Sequence, residues 1–213
     1  MNNDIIYIAD FFDGKELEEI ETIINSLPNQ DVIPSYGPFA NQLLGNFVEL
    51  KKSNKLMGLL INKIKPLIPS EQFSISKATR TKLFLPWDIH NDLHLEEVEE
   101  GYTPWYNILI SLVDVESRTI LFDQWSESYS DFYLYKQEHD KLSIPIDETF
   151  WQENLSMCWP EDRFYLSVKQ ILPYQRRGAL QGFHRKYFHS SDNFHMKNIA
   201  EKSFIQLRLD VKL

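Results

Sequence analysis

The 213-residue sequence contains one cysteine, Cys158, so no intramolecular disulfide framework and no cysteine-rich zinc or iron–sulfur site can form. A lone thiol fits a reducing compartment, and a cytoplasmic location is expected. Glycine is scarce, at 7 residues, and never gathers into the loop that cradles a phosphate, which excludes Rossmann and P-loop chemistry. No Gly-x-Ser-x-Gly elbow is present, and neither the serines nor Cys158 has a partner arrangement for nucleophilic catalysis. No apolar run approaches the roughly 18–20 residues that span a bilayer. The opening MNNDIIYIADFFDG lacks a basic region, so no secretory signal is expected. Basic residues are outnumbered, 22 against 31 acidic, for a net charge of −9. That balance argues against nucleic acid or an anionic membrane as a partner.

What is abundant is aromatic: 5 Trp, 10 Tyr and 14 Phe, in a chain that is 43% hydrophobic and 25% charged. This is the composition of a folded domain rich in large core side chains. One domain is expected over residues 1–213, with a strand and supporting helices in 1–70 and a β-rich core in 72–213. IIYIADFF reads as a strand. Asp13 and Glu16 form a capping-box pattern before Leu17, Ile20, Ile23, Ile24 and Leu27, and Pro28 ends that helix. Pro34, Gly37 and Pro38 mark 29–45 as loop, and a second amphipathic helix is expected over 53–65.

Beyond residue 72 the texture turns to strands. They are FSISKATRTKLFL, WYNILISLVDVESRTILFDQ with a turn near Asp114–Arg118, RFYLSVKQILPY, ALQGF after Arg177-Gly178, and KSFIQLRLDVKL. Residues 125–160 read as an acidic, aromatic insertion with one short helix near 148–157. Helices first and strands afterwards predict a mainly β fold with flanking helices (α+β), a sandwich or barrel with helices outside one sheet.

Six histidines carry most of the available metal or acid–base chemistry. His90 and Asp92 are two apart, so on an extended segment both point to one face. His189 is the best third ligand, in YFHSSDNF ahead of the last strand. Two histidines and a carboxylate leave three positions of an octahedron open, the facial arrangement of non-haem iron(II) oxygenases. Spacing alone is weak support, because about 0.9 chance matches to His-x-Asp/Glu are expected here. His94-x-Glu96 is a second match, with His94 expected at the surface or behind the ligands. An all-histidine cluster of His184, His189 and His195 matches no helix or strand period. The five tryptophans are expected in core and lid packing.

Context adds to the spacing. LFLPWDIHND, the strand pair WYNILISLVDVESRTILF, RRGALQGFHRKYFHSSDNF and a last strand with an arginine resemble the 2-oxoglutarate/iron(II)-dependent dioxygenase family. The resemblance covers about residue 72 to the end, and the opening strand and helix resemble the element that often precedes that barrel. It implies a double-stranded β-helix, a jelly-roll, cupin-like barrel with Fe(II) held by His90, Asp92 and His189. It also implies 2-oxoglutarate as cosubstrate and O2 as oxidant, with no catalytic side chain beyond the metal ligands. The far carboxylate of 2-oxoglutarate pairs in that family with a basic residue on the last core strand, which maps to Arg208. Arg208 stands 19 residues beyond His189, a longer separation than many members show. Lys202, on the same strand parity, competes with it, though it is expected at the strand's exposed start. Asn107 is a further candidate contact to the cosubstrate.

The implied activity is hydroxylation of an unactivated C–H bond of a small molecule or peptide, with release of succinate and CO2. Arg176, Arg177, Arg185 and Lys186 are expected to form a basic cluster near the mouth that could attract an anionic substrate. Two other classes remain open: a non-catalytic jelly-roll binding module, and a cupin-like metal-dependent isomerase that needs no 2-oxoglutarate.

Overall fold

The computed structural model describes residues 5–28, 31–34, 42–127, 132–174 and 176–212. In chain order its strands are β1 (Ile5–Ile8), β2 (Asp31–Pro34), β3 (Leu43–Glu49), β4 (Phe73–Leu83) and β5 (Thr103–Ser111). They continue as β6 (Ser117–Trp125), β7 (Val168–Tyr174), β8 (Leu180–His184), β9 (Tyr187–Ser191) and β10 (Lys202–Val211). The helices are α1 (Gly14–Ser26), α2 (Asn54–Ile64), α3 (Phe132–Glu138) and α4 (Glu148–Leu155). A seven-stranded antiparallel sheet in the order β1-β8-β5-β10-β4-β3-β2 faces a three-stranded sheet in the order β7-β6-β9.

The capping box at Asp13 forms in full. Its carboxylate accepts from the main-chain N–H groups of Lys15 and Glu16, and its own N–H donates to the Glu16 carboxylate, each at 2.9 Å. Helix α1 then buries Leu17, Ile20 and Ile24, and α2, capped by Ser53, buries Leu56, Leu60 and Ile64. These side chains pack on the outer face of the large sheet, against Ile108, Ile110, Ile205 and Leu207. Strand periodicity sends the alternate residues inward. Leu83, Leu109, Phe183 and Phe204 of the large sheet meet Leu121 and Leu172 of the small one inside the roll.

Along β6 the same alternation turns Ile120 and Phe122 outward. There, with Phe188 of β9, they are covered by Phe132, Trp151 and Leu155 of the insertion. The insertion is therefore a second layer on the back of the small sheet. It carries two helices where one was expected, and RFY lies at the end of a 3-10 helix (Pro160–Phe164), so that strand starts only at Val168.

The expected loop 29–45 also changes, since β2 and the start of β3 pair there as the sheet edge. Gly37 and Pro38 lie outside the described residues. The Arg177-Gly178 turn stands as read. Gly178 has φ +90°, and a Cβ there would sit 2.4 Å from the Phe12 carbonyl oxygen, so only glycine fits. Among the described residues, no helix is long and apolar enough to cross a membrane.

Candidate metal centre

His90 and His189 are direct antiparallel partners. The N–H of His90 donates to the His189 carbonyl at 3.1 Å and the reverse bond is 2.9 Å. Residues paired in this way project to the same face, and their ring centroids are 4.3 Å apart. Asp92 follows two residues later, its N–H donating to the carbonyl of Arg185 in the turn between β8 and β9 at 3.1 Å. The ligand atoms of His90, Asp92 and His189 all lie within 4.8 Å of one another. No other such group of histidine, cysteine or carboxylate side chains converges among the described residues.

Both imidazoles are oriented from behind. His90 Nδ1 lies 2.7 Å from the Asp88 carbonyl and His189 Nδ1 lies 3.2 Å from the Tyr187 carbonyl. A carbonyl only accepts, so each ring carries a proton on Nδ1 and turns Nε2 toward the site. Burial, reinforced by the neighbouring His189, pushes His90 down to about 3, which keeps it neutral over the working pH range.

Burial alone would raise the Asp92 carboxyl. The Arg208 guanidinium and His189 outweigh that and hold it well below the usual carboxylate range. Asp92 is thus an anion in a cavity it shares with two imidazoles. The donor set, two imidazoles and one carboxylate, suits iron(II) and similar divalent ions.

The other expected site residues fall around this triad. Asn107 of β5 donates from Nδ2 to Asp92 Oδ2 at 2.6 Å, and Arg208 of β10 donates from Nη2 to Oδ1 at 2.7 Å. Both therefore contact the carboxylate of the triad itself. His94, half-buried, lies 3.2 Å from Glu96 and outside the triad. His184 and His195 lie apart, beside Tyr106 and Phe194, so the three-histidine cluster does not form.

Lys202 is not at an exposed strand start. It is 1% exposed and crosses the interior of the roll, its Nζ 3.4 Å from the Arg118 carbonyl and 3.5 Å from Ser191 Oγ. Burial, partly offset by Asp192, pushes its ammonium down to about 7.

The basic cluster does not form either. Arg176 pairs with Asp10 at 3.2 Å and Arg177 with Glu21 at 2.6 Å, beside Ser111 and so at the end of β5 opposite Asn107. Arg185 is fully buried against Asp210. Lys186 stacks over the Trp125 ring at 4.4 Å. Sequence adjacency suggested a patch, but the length of β8 separates Arg176 and Arg177 from Arg185 and Lys186, and local acids pair with the three arginines.

Two members of the centre gave little signal. Gln206 donates from Nε2 to both Asp92 oxygens at 3.3 Å, a position legible only from its shared parity with Arg208 on β10. Glu97, on a short 3-10 helix (Leu95–Glu97), accepts from Arg208 Nη1 at 2.7 Å, and no pattern pointed to it. Trp151 is the fully buried tryptophan, whereas Trp125 and Trp159 are 44% and 53% exposed.

By sequence, no protein-family model and no curated protein matches this chain. By structure it is similar to SnoN, a non-haem α-ketoglutarate-dependent epimerase from nogalamycin biosynthesis. The TM-score is 0.62 at 10% identity, covering 98% of this chain and 78% of that one. It is similar to an oxidoreductase of the 2OG-Fe(II) oxygenase family from Burkholderia pseudomallei, with TM-score 0.57, 9% identity, and 98% and 86% of the two chains covered. It is also similar to HygX from Streptomyces hygroscopicus with nickel and 2-oxoglutarate bound, with TM-score 0.60, 9% identity, and 99% and 84% covered. The chain has the double-stranded β-helix fold of the 2-oxoglutarate/iron(II) oxygenases. At such identities the likeness lies in the backbone, and only this chain's own side chains can speak for its chemistry.

Proposed function

We propose that this protein is an iron(II)- and 2-oxoglutarate-dependent oxygenase that hydroxylates a C–H bond of a small molecule or peptide. The observation that carries the reading is the triad. Two imidazoles, each held through Nδ1 by a backbone carbonyl, and one ionised carboxylate converge at one point of a jelly-roll interior. When bound there, iron would let dioxygen, the oxidant, oxidise both 2-oxoglutarate and the substrate, one oxygen atom ending in succinate and the other in the new hydroxyl as CO2 leaves. His90, Asp92 and His189 would hold it.

The chain's other contribution is to bind and orient the cosubstrate. Lys202 suits its far carboxylate better than Arg208, whose guanidinium already bridges Asp92 and Glu97. Ser191 lies two residues beyond His189 on the same strand face, about 7 Å along β9, and Lys202 Nζ reaches its hydroxyl. A five-carbon diacid chelated through its first two carbons carries its second carboxylate a comparable distance. Asn107, bonded to Asp92, serves the carboxylate ligand rather than the cosubstrate.

Anaerobic Fe(II) with 2-oxoglutarate should give a weak visible charge-transfer band, and His189→Ala should abolish it. No band in the wild-type protein, or an undiminished one in the variant, defeats the proposal. SnoN is an epimerase, so a second outcome on the same scaffold is stereochemical inversion. Oxygen and 2-oxoglutarate consumption coupled to a hydroxylated product separates the two, and turnover without oxygen would instead favour a cupin-like isomerase.

A further inference from the structure

The Asp92 carboxylate is held unequally by its two oxygens. Oδ1 accepts from Arg208 Nη2 at 2.7 Å. Oδ2 accepts from Asn107 Nδ2 at 2.6 Å and lies 3.3 Å from His189 Nε2. Gln206 Nε2 is 3.3 Å from both oxygens. The guanidinium is forked, since its other terminal nitrogen, Nη1, donates to Glu97 at 2.7 Å. The second Glu97 oxygen is 4.0 Å from Lys77 Nζ. Arg208 is 5% exposed, so two carboxylates, not water, fix its plane.

Resting on the oxygenase reading of the triad, we propose that Arg208 is a positioning residue: braced by Glu97, it pins Oδ1 of Asp92, so that the carboxylate offers only Oδ2 to an ion held by His90 and His189. A carboxylate free to swing can chelate through both oxygens, as carboxylates do around many cations. It would then occupy one of the three positions that two histidines and a carboxylate leave open, all of which a chelating cosubstrate and dioxygen need together. The lock thus preserves open coordination positions. A planar fork is required, because the ammonium of a lysine is a point charge on a flexible stem and cannot hold two carboxylates in a fixed relation.

The experiment records the visible spectrum of the Co(II)-loaded full chain, first without cosubstrate and then titrated with 2-oxoglutarate or with pyruvate, which lacks the far carboxylate. Arg208→Met is expected to bind Co(II) but to shift its bands before any cosubstrate is added. Both keto acids should then bind more weakly by a common factor of about 10–100, the usual effect of removing an outer-shell partner. Arg208→Lys should behave likewise, and Glu97→Gln should give a smaller shift of the same sign. These two variants keep the test alive if Arg208→Met does not fold.

A Co(II) spectrum in the variants that superimposes on wild type, with loss of 2-oxoglutarate affinity alone, overturns the inference and makes Arg208 the anchor for the far carboxylate. A wild-type protein that takes up no Co(II) overturns the metal reading itself, and shows this before any variant is made.

Discussion

The Lys202 side chain is enclosed between the two sheets, where burial disfavours its ammonium and Asp192 favours it. Its folded value of about 7 stands below the 10.5 of a solvated lysine, with burial the main cause. Between those values the unfolded chain binds one proton more than the folded one, so Lys202 makes stability rise with pH across that window. Below about 7 the folded protein carries the buried charge and loses that advantage. Urea denaturation from pH 7 to 10 should show the rise, and Lys202→Met should flatten it.

The same group gives a binding signature of opposite sign. If the protonated ammonium holds the far carboxylate, 2-oxoglutarate affinity should fall by about tenfold per pH unit above 7. A guanidinium anchor would give no such slope, since arginine stays charged throughout. Titrations of the charge-transfer band across that range distinguish the two, and a flat profile would return the role to Arg208. The convergence of His90 and Asp92 was legible from their strand parity, and that of His189 from its place ahead of the last strand. The burial of Lys202 was not, because a lysine at the head of a strand faces solvent or core according to what the opposite sheet places above it.

At the level of elements, helices announced themselves better than strand boundaries did. Asp13 with Glu16, and the apolar spacing through Ile24, specify α1 locally. By contrast β2 is a four-residue edge strand whose pairing with β3 is a tertiary fact. The insertion was visible as a change in texture, but its destination was not. Leu155, Trp151 and Phe132 pack against Phe122 and Phe188, residues that only the folded roll brings side by side.

This packing makes Leu155→Ala a test of what holds the insertion down. Leu155 is fully buried, so truncation should cost about 2–5 kcal/mol. Hydrogen exchange should quicken in α3 and α4 well before β10, which is paired on both sides. Uniform quickening would mean instead that the insertion and the roll unfold as one unit.

For the molecule as a whole, the fold class was readable because helices preceding a run of strands leave few architectures open, while the closure of the roll was not written in any one segment. Closure brings His90 and His189 together, and on the oxygenase reading proposed above it should make stability depend on metal. In the unfolded chain Asp92 and His189 are separated by 97 positions and cannot converge, so an ion that needs both binds essentially the native state. Linkage then stabilises the fold by about 2.7 kcal/mol at a hundredfold excess of free ion over its dissociation constant.

Thermal unfolding with saturating Co(II) should therefore shift upward in the wild-type protein and hardly at all in His189→Ala. A chain of net charge −9 also offers many exposed carboxylates that could collect a divalent ion weakly. Equal stabilisation of the two proteins would place the ion among those surface groups and remove it from the roll. A shift confined to the wild type ties the ion to the one point where both sheets, the turn between β8 and β9 and the His90–Asp92 segment meet.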